Sequence, residues 1–320
     1  MPDYGKAIHT NEELKEMQSW PLERKIQVTQ TRILEWGQHY NEQIYVAFSG
    51  GKDSTVLLDL VRRVYPNTPA VFIDTGVEYP EVREFIKTVP NVRWQKPGMG
   101  FKRVLEEYGY PIISKNVSQR IYEARKYPDS KIPRMFDADD PYSQRYGRQF
   151  SMAKWKWLLD SDIPISHMCC NVMKKAPSKK FEKETGLKPI LGLLAEESAL
   201  RKTEWMKDGC NAFNNKRPTS RPMSFWTEQD VLAYIVRFNI PYCSIYGEIL
   251  QNLVGEYYTT GVKRTGCIYC GFGCHLESYP NHFQLLKETH PRQWDYCMRS
   301  KEDGGLGMRE VMEFIGVKVD

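Results

Sequence analysis

Short apolar runs separated by amphipathic stretches organise most of this chain. "IYVAFSG" reads as a buried strand, and Val56, Leu57, Leu60, Val61 and Val64 follow at helical spacing. "PAVFID" (Pro69–Asp74) predicts a second buried strand, "NVRWQK" a third and "LKPILGLL" (Leu187–Leu194) a fourth. Residues 11–39 predict helix, with Leu14, Met17, Ile26, Ile33 and Leu34 as a broken apolar face. Strands alternating with helices predict an α/β fold built on a doubly wound parallel sheet. Ligands of such sheets sit at the carboxyl ends of the strands. The polar breaks Ser49–Ser54 and Asp74–Gly76 fall at two of those ends.

Later segments divide the chain further. "SFWTEQDVLAYIVRFNIPY" predicts a helix capped by Thr227 with Asp230 three residues on, and Val231, Leu232, Ile235 and Phe238 as its buried stripe. The expected organisation is an N-terminal helical extension (1–40), a nucleotide-binding α/β domain (41–225) with an insertion at 113–157, and a mostly helical, cysteine-bearing region (226–320). The insertion carries ten Lys/Arg against five Asp/Glu, interleaved with Tyr, Phe and Trp. Such a patch suits either a solvated charged face or a nucleic-acid backbone.

Charge and length change this picture little. The net charge of +5 over 320 residues permits a polyanionic partner without demanding one. The first residues lack the apolar core of a signal peptide, and no run approaches a membrane span. A cytoplasmic protein without membrane contact is therefore expected, in which clustered cysteines bind metal or do chemistry.

The break at Ser49–Ser54 has the makings of a phosphate site. Gly50 and Gly51 allow close backbone approach, Lys52 adds a point charge, and Ser49 and Ser54 add hydroxyls at a helix start. The spacing fits neither a Walker A loop nor G-x-G-x-x-G.

"SGGKDS" resembles the signature of the PP-loop ATP pyrophosphatases. "FIDTGVEYPE" resembles the phosphoadenosine phosphosulfate (PAPS) reductase branch of that adenine nucleotide alpha hydrolase superfamily. The resemblance implies that Ser49, Gly50, Gly51, Lys52, Asp53 and Ser54 bind phosphate. It also places Asp74, Thr75 and Gly76 near the adenosine. "ILGLLAEESALRK" resembles the family's G-x-R-x-x-(E/D)-S-x-x-R stretch at Gly192, Glu197, Ser198 and Arg201, with Leu194 where the family has arginine.

Eight cysteines follow: an adjacent pair (Cys169, Cys170), the C-x-x-C of Cys267 and Cys270 with Cys274 beyond it, and Cys210, Cys243 and Cys297. Two pairs on separate segments suit zinc or an iron–sulfur cluster, and composition leaves the two open. "CCNVMKKAP" resembles the tandem-cysteine motif of the sulfonucleotide reductases that carry a [4Fe–4S] cluster. By that resemblance the cluster ligands are Cys169, Cys170, Cys267 and Cys270, with Lys174 or Lys175 beside them. Cys274, next to His275, is a candidate sulfur-relay thiol, and the other histidines are expected to be structural.

A complete phosphate loop, and an ending without the reductases' nucleophilic cysteine, favour an enzyme that splits ATP with Mg²⁺ and transfers sulfur. Its acceptor would be transfer RNA or DNA on the 113–157 insertion, and its sulfur would come from a donor protein. Lys52, Asp53, Arg201 and Cys274 are its expected catalytic residues. A sulfonucleotide reductase served by a thioredoxin-like reductant, and an ATP-binding subunit without turnover, are the alternatives.

Overall fold

A computed structural model describes residues 7–145 and 151–320 of the chain. Its strands, numbered along the chain, are β1 (Ile44–Ala47), β2 (Ala70–Ile73), β3 (Val92–Gln95), β4 (Ile112–Ile113), β5 (Lys188–Leu191), β6 (Asn211–Ala212), β7 (Thr219–Ser220), β8 (Ile249–Gln251), β9 (Tyr257–Thr259) and β10 (Gly271–Phe272). The four predicted strands are β1, β2, β3 and β5. They lie in a six-stranded sheet of order β3-β2-β1-β5-β7-β6, parallel except for β6. Ile44, Tyr45 and Val46 are all buried, as a strand covered on both faces requires. β1 pairs with β2 on one side and β5 on the other, so the strand order reverses there. The segment after β1 thus emerges at the switch point where doubly wound sheets bind ligands.

The chain forms two compact units: one of residues 1–74, 78–96 and 177–265, the other of 75–77, 97–176 and 266–320. This division differs from the one expected. Leu14, Ile33 and Trp36 of the N-terminal helices belong to the first unit's core, together with Val46, Leu57, Phe225 and Trp226. The helical segment is therefore part of that unit's interior. The second unit contains most of the insertion, both paired-cysteine segments and the C-terminal helices. In it, β4 and β10 form a short parallel pair.

The expected N-terminal helix forms with one break, and its buried face differs in part from the one expected. Two helices form, α1 (Asn11–Ser19) and α2 (Leu22–His39), broken at Trp20-Pro21. The buried stripe of α2 runs through Lys25, Thr29, Ile33, Trp36 and Gly37, whereas Leu34 is exposed. Thr29 Oγ1 accepts from the indole N–H of Trp226 at 2.9 Å. Lys25 Nζ donates to Asp230 Oδ2 at 2.6 Å and to the Gln18 carbonyl at 2.7 Å. A face carrying partnered polar groups does not register as apolar periodicity.

Asp230 has a second duty. The helix Glu228–Phe238 starts with the predicted box, in which the Thr227 hydroxyl accepts from the Asp230 N–H and the Asp230 carboxylate accepts from the Thr227 N–H. Replacing Asp230 with alanine opens this box and strands the Lys25 ammonium, whose side chain is 2% exposed. The expected loss is about 3–5 kcal/mol of stability, read from chemical denaturation. A loss below about 1 kcal/mol, the scale of a cap alone, would show that the buried pair contributes nothing.

Candidate functional site

Helix α3 (Lys52–Val64) is the next element after β1, with Gly51 at its cap and no capping bond from the cap residue itself. Gly50 has φ +73°, and a Cβ there would lie 2.9 Å from Val82 Cγ1, so both conformation and space call for glycine. Gly192, at the end of β5, is held to glycine by the turn itself: a Cβ would lie 3.1 Å from the Asp53 carbonyl oxygen. The Ser49 and Ser54 hydroxyls are 3.2 Å apart, and Ser54 Oγ donates to the Gly51 carbonyl at 2.9 Å. Backbone N–H groups at a helix start, with the positive end of its dipole, favour an anion.

Cations gather around this turn. Lys52 is buried, and its ammonium donates to the Lys263 carbonyl and pairs with Glu228, both at 3.1 Å. The Asp53 carboxyl is held above the usual carboxylate range by burial, against the pull of Lys52, Arg201 and Arg264. Its Oδ1 is buried with no hydrogen-bond partner among the described residues. Arg201 pairs with Glu197, and burial plus the neighbouring Arg264 lower its pKa. Arg264 also approaches Glu197, at 3.8 Å. Ser198 caps the helix Ala199–Asp208 by accepting from the Arg201 N–H. Lys52, Asp53, Glu197, Ser198 and Arg201 are therefore brought together as a set, with Ser198 serving the helix and Glu197 neutralising arginine.

Three further members of the site carry no local sequence signal. The Tyr246 hydroxyl accepts from the Lys52 N–H at 3.2 Å and lies 3.0 Å from Thr265 Oγ1. Glu228 and Arg264 complete the charge group. All reach the turn from segments some 180–210 positions away along the chain, so only the tertiary fold joins them.

Asp74 is buried at the end of β2, where Oδ2 accepts from Arg83 at 2.9 Å and Oδ1 has no hydrogen-bond partner among the described residues. In the second unit, Thr75 and Gly76 line a cavity of about 550 Å³ with Phe101, Lys102, Arg103 and Tyr269. The Phe101 and Tyr269 rings stack at 6.1 Å. The charged part of the wall is mixed, because Glu106 lines it too and Arg103 pairs with Glu107 at 3.8 Å.

The eight cysteines fall into two classes. Cys169, Cys170, Cys267 and Cys270 are half-buried, whereas Cys210, Cys243, Cys274 and Cys297 are buried. The half-buried four act on one another electrostatically within the second unit. Cys169 and Cys170 open a helix that continues as a single π turn, Asn171–Lys175, a distortion that often marks functional positions. Cys267 and Cys270 close a tight turn, with the Cys270 N–H donating to the Cys267 carbonyl at 3.1 Å. Cys169 and Cys170 share a hydrogen bond that raises the first thiol and lowers the second. Lys115, Lys174 and Lys175 add to the lowering of Cys170. Burial pushes Cys270 up to about 12. Four thiols on two segments, with three lysines acting on Cys170, have the donor chemistry of a zinc or an iron–sulfur site.

Two expectations change. Cys274 is buried, and burial pushes its thiol up to about 12, which is unsuited to a free relay nucleophile. Its histidine neighbour in space is His282, while His275 packs edge-on against Trp155. The arginines of the insertion are also largely occupied. Arg125 donates to the carbonyls of Leu158, Leu159, Ser161 and Ile163; Arg134 pairs with Asp140; Arg120 pairs with Glu123. Arg148 lies outside the described residues. Among the described residues, no helix is long and apolar enough to cross a membrane.

The chain is similar to known proteins. The family model described as the phosphoadenosine phosphosulfate reductase domain matches residues 43–126 and 123–271. An adenosine 5′-phosphosulfate reductase of Lysinibacillus sphaericus is 26% identical over 240 residues, covering 74% of this chain and 78% of that protein. Adenosine 5′-phosphosulfate reductase 2 of Bacillus subtilis is 25% identical over 218 residues, covering 68% and 72%. Among solved structures, a phosphoadenylyl-sulfate reductase from Candida auris in complex with phosphate aligns at a TM-score of 0.40 and 14% identity, over 79% of this chain and all of that one.

Proposed function

Because the chain belongs to the phosphoadenosine phosphosulfate reductase domain family, we propose that it is an enzyme of the sulfonucleotide-reductase kind. An adenine nucleotide binds through its phosphates at the Ser49–Ser54 turn, and Cys169, Cys170, Cys267 and Cys270 hold a [4Fe–4S] cluster. The observation that carries this reading is the convergence of Lys52, Arg201 and Arg264 on the start of α3, around the carboxyl of Asp53. Glu228 and Glu197 hold these cations in place, and a phosphate arriving at the helix N-terminus would compete with those carboxylates for them.

In the reaction, the bond between sulfur and the bridging oxygen of the adenylyl phosphate breaks. Two electrons from a dithiol reductant of the thioredoxin class reduce sulfate sulfur to sulfite, the dithiol becomes a disulfide, and AMP leaves. Lys52, Arg201 and Arg264 orient the substrate and stabilise the charge that grows on the departing phosphate. A bound cluster supplies a fixed, redox-capable charge, and Lys115, Lys174 and Lys175 offset its anionic character.

A second reading rests on the turn's own composition. With both serines, both glycines and Lys52 in place, the turn suits the β- and γ-phosphates of ATP, and a bound Mg²⁺ would supply charge neutralisation for a pyrophosphate leaving group. Anaerobic incubation with adenosine 5′-phosphosulfate, with its 3′-phosphorylated form and with ATP separates the readings. Sulfite is the expected product, together with AMP from adenosine 5′-phosphosulfate or adenosine 3′,5′-bisphosphate from its 3′-phosphorylated form. Pyrophosphate from ATP without sulfite would replace this reading with the second. Tight nucleotide binding with neither product would leave a binding subunit.

A further inference from the structure

Cys274 lies beyond the four-thiol group, and its surroundings are built independently of that group. The short 3-10 turn Cys274–Leu276 ends at Glu277. The Glu277 carboxylate accepts the His282 N–H at 2.8 Å. His282 is the first residue of the helix His282–Thr289, where the Asn281 side chain accepts from the Phe283 and Gln284 N–H groups and Gln284 returns a bond to Asn281. Thiol, carboxylate and imidazole are thus delivered by nine consecutive residues, 274–282, with the backbone at both ends pinned. One ligand atom from each lies within 4.8 Å of the other two. His282 Nδ1 is 2.7 and 2.9 Å from the Glu277 oxygens. Its Nε2 is buried with no hydrogen-bond partner among the described residues. The thiol is interior, while the carboxylate and ring reach solvent, so an ion has a path in.

We propose that Cys274, Glu277 and His282 bind one divalent zinc-class ion, additional to whatever the four half-buried thiols hold. A sulfur and an imidazole select a borderline-soft first-row metal over magnesium or calcium. Thiolate and carboxylate together balance its double charge. Three protein ligands leave a fourth tetrahedral position for water or another small ligand. The ion ties the turn that follows the C-x-x-C to the start of the next helix. It therefore holds the Cys267–Cys270 segment from its C-terminal side. The proposal does not depend on the reaction assigned above.

Iron and zinc analysis of the purified protein, followed by chelation and reloading with zinc or cobalt(II), tests it. About one zinc or cobalt per chain is expected, with a thiolate-to-cobalt charge-transfer absorption. Cys274→Ser and His282→Asn are each expected to lose that ion and keep their iron, whereas Cys267→Ser loses iron and keeps the zinc. Glu277→Gln, at a solvent-facing side chain, is expected to weaken zinc binding on the order of 10- to 100-fold with an unchanged circular dichroism spectrum. If the four thiols hold zinc instead of iron, the native chain contains two zinc ions and His282→Asn still removes one, so the two assignments fail separately. A native protein that takes up neither zinc nor cobalt, or a His282→Asn variant that binds as tightly as the native chain, overturns the proposal.

Discussion

Replacing Lys52 with alanine is expected to lower kcat/KM for the nucleotide substrate by about 10²- to 10³-fold, the scale of removing one preorganised charge from a developing anion. The side chain is nearly inaccessible and sits between the Glu228 carboxylate and the Lys263 carbonyl. Its ammonium is therefore already fixed before substrate arrives. Truncation takes out the charge without touching Gly50, Gly51 or the register of α3, so the folded state is expected to persist. Steady-state kinetics with the sulfonucleotides and with ATP, alongside a melting curve, checks this. An unchanged rate with both substrates would remove the turn from the mechanism.

The second large effect concerns Cys267. A Cys267→Ser chain is expected to fall from about four irons, the content of a [4Fe–4S] cluster, to nearly none, and to lose its visible absorption. Cys297→Ser serves as the comparison. That thiol is fully buried, and burial alone raises its pKa, so its loss is expected to leave iron intact. Iron and sulfide analysis of both proteins, prepared anaerobically, decides the matter. Equal iron in the two would mean that the half-buried cysteines are not ligands.

The strands and the Gly50-Gly51 turn were legible because each is a local pattern. A strand covered on both faces reads as an unbroken apolar run, and a Gly-Gly break after it needs no distant partner. The division of the cysteines was equally local, since tandem and C-x-x-C spacings each put two sulfurs on one side of a short turn. What escaped the sequence is made by the fold. Tyr246, Glu228 and Arg264 reach α3 across more than half of the chain. The π turn at Asn171–Lys175 has no composition that announces it. His275 stands beside Cys274 in sequence, yet a 3-10 turn carries it toward Trp155 and brings His282 round instead. Lys25 and Thr29 misled for a different reason: buried polar groups with partners look, residue by residue, like solvent-exposed ones.

Arg125 has an implication for how the second unit holds together. Its guanidinium collects four carbonyl oxygens from Leu158 to Ile163, a stretch in which no strand ladder forms. One planar cation thus does there what a row of amides does elsewhere. The approach to the tandem cysteines is thus held largely by one side chain, beside the local bonds from the Asp160 N–H to the Lys156 carbonyl and from the Ser161 N–H to the Leu158 carbonyl.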